Sequence, residues 1–138
     1  MPTMTDEEKQ ELQVKIQFLY DKGYTFGMYN EYGFDLTNKI IRVDVYSGRY
    51  DTPDVGIRFI AKNECFGIDW ISFIMDKERN IKHKNVIEIL SYFLDFFREN
   101  YDQLININFC YGIREKVVRA ASEAIVTRHS AAFKELAK

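Results

Sequence analysis

Two stretches decide the fold of this chain: Ile41-Arg42-Val43-Asp44-Val45-Tyr46 and Val55-Gly56-Ile57-Arg58-Phe59-Ile60. In the first, apolar residues alternate strictly with polar ones. In the second, Val55, Ile57 and Phe59 alternate with Gly56, Arg58 and Ile60. A period of two puts successive side chains on opposite faces of a strand, so both read as half-buried β-strands. Between them, Ser47-Gly48-Arg49-Tyr50-Asp51-Thr52-Pro53-Asp54 has the glycine, proline and aspartates of a hairpin loop. The pair is therefore expected to be antiparallel.

Working outward, residues 24–37 hold enough aromatic and turn residues for one interrupted strand or two short ones. Asn38-Lys39 is expected to turn the chain into the 40–46 strand. After a turn near Lys62-Asn63-Glu64, the aromatic run from Cys65 to Met75 reads as a strand inside the sheet, with both faces covered in its second half.

The flanks read as helices. Thr5 with Glu8, behind Asp6 and Glu7, forms a capping box for a helix over 5–22, with Leu12, Ile16 and Leu19 on one face and Lys22-Gly23 as its stop. Asn85 with Glu88 repeats that signature before Val86, Leu90, Phe93, Phe97, Tyr101 and Leu104, which predicts a helix over 85–104. A third helix is expected over 114–136, after a break at Gly112, with Val117, Ala121, Ala124 and Ile125 facing inward. Strands grouped between helices indicate an α+β fold: one mainly antiparallel sheet of about four strands, packed against N-terminal and C-terminal helices. With 138 residues and no linker-like segment, 1–138 reads as a single domain.

Composition narrows the function classes. Nineteen basic against 21 acidic residues give a net charge of -2, which offers no general attraction to nucleic acid. Residues 1–69 hold 8 basic and 12 acidic side chains, and residues 70–138 hold 11 and 9, so the N-terminal half supplies the acidic region. No stretch approaches the roughly 20 apolar residues of a membrane span, and no secretion signal opens the chain. A cytoplasmic protein with reduced thiols is the expectation.

Chemistry is sparse. Cys65, His83, Cys110 and His129 are all singletons without the spacing of a zinc site, so no metal or other cofactor is expected. Neither a nucleophile elbow nor a phosphate-cradling loop is present, and the chain does not read as an enzyme. Asp44 and Asp69, with Arg42 and Arg58, are the candidates for acid–base or small-ligand chemistry in a pocket between sheet and helices; charge pairing on a solvated sheet is the alternative. Lys77–Lys84 reads as a solvated connector. Tyr46, Arg49, Tyr50, Asp51 and Asp54, joined by Glu31 and Tyr32, are the candidate recognition residues, because tyrosine and carboxylates in loops suit a binding surface; edge packing of the tyrosines in the sheet is the alternative.

From Val43-Asp44-Val45-Tyr46 through Asp54-Val55-Gly56-Ile57-Arg58-Phe59 and Phe66-Gly67-Ile68-Asp69-Trp70-Ile71 to Val86-Ile87-Glu88-Ile89-Leu90 and Phe97-Arg98-Glu99-Asn100-Tyr101, the order of features resembles small immunity-type proteins of bacterial polymorphic toxin systems. The resemblance implies a protein that binds a toxin domain and neutralises it without chemistry of its own. A small-ligand or enzymatic domain is one alternative. A homodimer built on an exposed β-edge or on the apolar excess of the 86–101 helix is another.

Overall fold

A computed structural model describes residues 5–48, 52–82 and 84–136. Helix α1 spans Asp6–Asp21 and begins on the expected capping box. The Thr5 hydroxyl accepts from the Glu8 amide at 3.2 Å, and the Glu8 carboxylate accepts from the Thr5 amide at 3.1 Å. Its stop is Gly23, whose φ of 93° lies in the left-handed region that favours glycine. Leu12, Ile16 and Leu19 form its buried stripe.

The sheet has five antiparallel strands in the order β1-β2-β3-β4-β5, where about four were expected. They are β1 (Thr25–Asn30), β2 (Gly33–Thr37), β3 (Ile41–Tyr46), β4 (Asp54–Phe59) and β5 (Glu64–Gly67). Residues 24–37 thus resolve into two strands joined by a turn at Glu31-Tyr32, with a register shift in β1 between Phe26 and Tyr29. Asn38 closes the next turn, its side-chain oxygen accepting from the amides of Ile40 and Ile41 at 3.0 and 2.8 Å. Register places Leu36, Val43 and Ile57 in one row and Phe34, Val45 and Val55 in the next. These rows make the inner face and are almost wholly buried.

The run from Cys65 to Met75 corrects the expectation. It leaves the sheet at Gly67 and winds into helix α2 (Ile68–Met75), so β5 is a short edge strand and not an inner one. Burial of Ile68, Ile71 and Ser72, with Trp70 and Phe73 exposed, follows a helical spacing. A continuous apolar run carries no period that separates a buried strand from a helix.

Helix α3 (Val86–Glu99) starts at the expected second capping box, with the Asn85 side chain accepting from the Glu88 amide at 2.9 Å. Removing that acceptor leaves the Glu88 amide unpaired, so Asn85→Ala is expected to lower unfolding free energy by about 1 kcal/mol, measurable by urea denaturation. The expected helix over 85–104 is interrupted at Asn100, and Tyr101–Leu104 forms a separate turn, α4. Leu90, Phe93, Leu94, Phe96 and Phe97 are buried in the core, while Ile87, Ile89 and Tyr92 are half-buried against it.

Helix α5 (Ile107–Leu136) begins seven residues earlier than expected and runs straight through Gly112. Its start is Asn106, whose side chain accepts from the Asn108 and Phe109 amides at 3.0 and 3.4 Å. Cys110 and Ile113 enter the core. Of the residues expected to face inward, Val117 is half-buried, while Ala121, Ala124 and Ile125 are exposed. No helix among the described residues is long and apolar enough to cross a membrane.

Candidate functional site: the loop end and outer face of the sheet

Because the strands meander, alternate connections share one end of the sheet. The β1–β2 turn, the β3–β4 loop and the start of α2 all lie there. Glu31 is exposed and Tyr32 half-buried in the first turn. The Tyr32 carbonyl accepts from both the amide and the hydroxyl of Ser47, at 2.6 and 3.0 Å, which ties the two connections together. Tyr46 ends β3, half-buried, between Gly33 and Asp54 on the neighbouring strands. A Cβ at Gly33 would meet the Val45 carbonyl and the Tyr46 backbone, so glycine alone permits this close approach. Four of the seven recognition candidates, Glu31, Tyr32, Tyr46 and Asp54, are thereby brought to one end. Arg49, Tyr50 and Asp51 lie outside the described residues.

Asp54 has a second occupation. One carboxylate oxygen accepts from its neighbour's amide, Val55, at 2.8 Å and from the Asp69 amide at 2.9 Å. The latter belongs to the first turn of α2, whose own N-cap residue, Gly67, has no side chain to offer. Asp54 therefore caps α2 from a different element. Burial pushes its carboxyl up to about 6, and the Asp69 charge adds to this, against the backbone donors of Asp69 and Val55 and the charge of Arg79.

Beside it, Asp69 pairs with Arg79 at 2.6 Å, and the same guanidinium nitrogen reaches the Asp69 carbonyl at 2.9 Å and the Ser72 hydroxyl at 3.0 Å. Arg79 is only 15% exposed, which corrects its placement in a solvated connector. Nothing in the local sequence distinguishes it from the lysines around it. With Asp69 held on α2, the proposed set of Asp44, Asp69, Arg42 and Arg58 does not converge: the other three sit on the outer face of the sheet.

On that face Arg42 and Arg58 stand directly opposite each other across β3 and β4. Like charges in register cost stability unless something offsets them. Arg42 has Asp44, its Nε lying 3.0 Å from the carboxylate. Arg58 donates to the Asn63 side chain at 2.9 Å, and no carboxylate among the described residues forms an ion pair with it. The Nε atoms of both arginines are shielded from solvent and make no hydrogen bond among the described residues, that of Arg42 lying near Asp44 only as an ion pair. The Cys65 thiol belongs to the same patch: burial pushes it up, Asp44 and Asp54 add to the shift, and the two arginines oppose it. Gly56 leaves the space between Asp44 and Cys65 open, since a Cβ there would stand 3.2 Å from the sulfur.

Among the described residues, no group of three or more His, Cys, Asp or Glu side chains could hold a metal ion. Chemically, the outer face offers two guanidinium groups, flanking carboxylates and a tyrosine on rigid central strands, an arrangement suited to recognising a complementary polar surface. Comparison of the chain with protein-family models, with curated proteins and with solved structures found no match.

Proposed function

We propose that this chain is a protein-binding domain that presents the outer face and loop end of its sheet to a partner, and that the partner is a bacterial toxin domain which it neutralises. One observation carries the reading. The helices pack on the inner face, while Arg42, Arg58 and Asp44 are half-buried on the other side, on the same strands as Tyr46 and at the sheet end that holds the Glu31-Tyr32 turn. Rigid strands presenting opposed arginines and a tyrosine can anchor a partner at little ordering cost. The toxin identity rests on the resemblance to immunity proteins.

Co-expression with the product of the neighbouring gene tests it. The chain should protect cells and co-purify with that product in stoichiometric amount. Arg58→Glu and Tyr46→Ala should each weaken the complex at least tenfold. Arg58→Glu places a carboxylate opposite Arg42, so thermal stability should hold or rise slightly. Undiminished toxicity in the presence of the folded chain would discard the proposal.

A further inference from the structure

Two helix faces and the edge strand β5 border a cleft of about 250 Å³. On α5, Cys110, Ile113, Arg114, Val117 and Val118 line it, at the three- and four-residue spacings that share one face of a helix. Trp70 and Ile71 of α2 line the opposite wall, and Phe66 and Gly67 of β5 complete it.

Phe66, Ile71, Cys110 and Ile113 are buried, so the inner part of the cleft is built into the core, while Trp70 and Val118 stand exposed at its mouth. Cys110 adds no charge. Its thiol donates to the Leu104 carbonyl at 3.3 Å, and burial pushes it up to about 11 against the opposing charge of Arg114.

Arg114 is the only charged side chain in the lining among the described residues. Its guanidinium lies over the Phe66 ring, 4.3 Å from the centroid, which sets a cation directly against the apolar wall. One terminal nitrogen donates to the Glu64 carboxylate at 3.0 Å and to the Cys65 carbonyl at 3.5 Å. Its Nε and the other terminal nitrogen make no hydrogen bond among the described residues, so part of the guanidinium fork is open to a ligand.

Shape and charge together select the occupant. Small-molecule sites are concave and mostly apolar, with a few placed polar groups that fix orientation. The volume falls just below the range of about 300–1,000 Å³ typical of drug-sized ligands, which suits a single ring or a short alkyl chain. A helix, about 10 Å across, does not fit. A guanidinium beside a lining without acids favours a carboxylate over an amine or a neutral head.

We propose that this cleft binds a small amphipathic carboxylate, its ring or short chain held between α2 and α5 and its carboxylate on Arg114. Glu64 competes for the same guanidinium and sets how tightly the ligand is held. The site stands on its own, whatever partner the outer face of the sheet takes.

Trp70, the sole tryptophan of the chain, lines the cleft and reports on its filling. Titrating the full chain with phenylpropanoate and with octanoate should shift Trp70 emission saturably to shorter wavelength, with matching heats by calorimetry. Phenylpropanol and octanol, which lack the charge, should bind at least fivefold more weakly. Arg114→Gln, an exposed position, should keep the wild-type circular dichroism and abolish that preference while leaving alcohol binding unchanged. Glu64→Gln releases Arg114 from its ion pair and should tighten carboxylate binding alone. Absence of saturable binding overturns the proposal, as does a carboxylate preference that survives Arg114→Gln. If Trp70 is covered only by a protein partner or by a second copy at high concentration, and neither probe shifts it, the cleft belongs to a protein interface and the proposal fails.

Discussion

Phe97→Ala is expected to lower the unfolding free energy by about 3–5 kcal/mol, enough to consume a large share of the margin of an ordinary domain. Phe97 is fully buried and stands where α1, α3, α4 and the entry to β1 meet. Its ring lies 5.7 Å from Phe18 in an edge-to-face contact and 5.5 Å from Tyr101 in a stacked one. Tyr101 in turn shares a 3.0 Å hydrogen bond with Tyr24, just before β1. Removing the ring opens a cavity bordered by three elements and loses two aromatic contacts, each worth about 0.5–1.5 kcal/mol beyond area burial. Chemical denaturation of wild type and variant measures it; a loss below about 1 kcal/mol would mean that α1 does not seat on α3 as described.

The second large effect is a dependence on pH. Asp54 titrates near 6 in the folded protein against an ordinary 3.8. A carboxyl raised on folding contributes stability that is fully present below 3.8 and is lost as pH rises through about 6. The shift corresponds to about 3 kcal/mol between those limits. Asp54→Asn keeps an oxygen to accept from the Asp69 amide but cannot ionise. Relative to wild type, the variant should therefore be about 2 kcal/mol more favourable at pH 8 than at pH 4. Urea midpoints of both proteins at the two pH values give this difference directly. A difference that does not change with pH would show Asp54 to be solvated and its cap of α2 loose.

These two residues also mark how far local sequence carries. The capping boxes at Thr5 and Asn85, the alternation in β3 and β4, and the buried stripe of α1 are written in residues three or four apart, and each could be read directly. Ile68–Met75 could not, because an apolar stretch covered on one side by the core looks alike as strand or helix. Gly112 misled for a different reason: a single glycine costs only about 1 kcal/mol inside a helix, and α5 is long enough to absorb it. At the candidate site, Tyr46, Glu31 and Tyr32 share an end of the sheet because hairpin connectivity demands it. Asp54 capping α2 and Arg79 closing on Asp69 and Ser72 join residues seven to fifteen apart across elements, and no local pattern announces them.

The meandering strand order also sets how the molecule assembles as it is synthesised. Each strand pairs with the one made just before it, across connections of two, three, seven and four residues. The loops to be closed are short, and the ladder can grow in the order of translation. Helix α1 is made first yet must wait for the residues that seat it: Lys15 bonds Asp95 at 2.9 Å, and Phe18 packs on Phe97, some eighty residues later. Until α3 emerges, the inner rows of Leu36, Val43, Val45 and Ile57 are without the helix that covers them, and this is the interval in which the nascent chain exposes the most apolar surface to its surroundings.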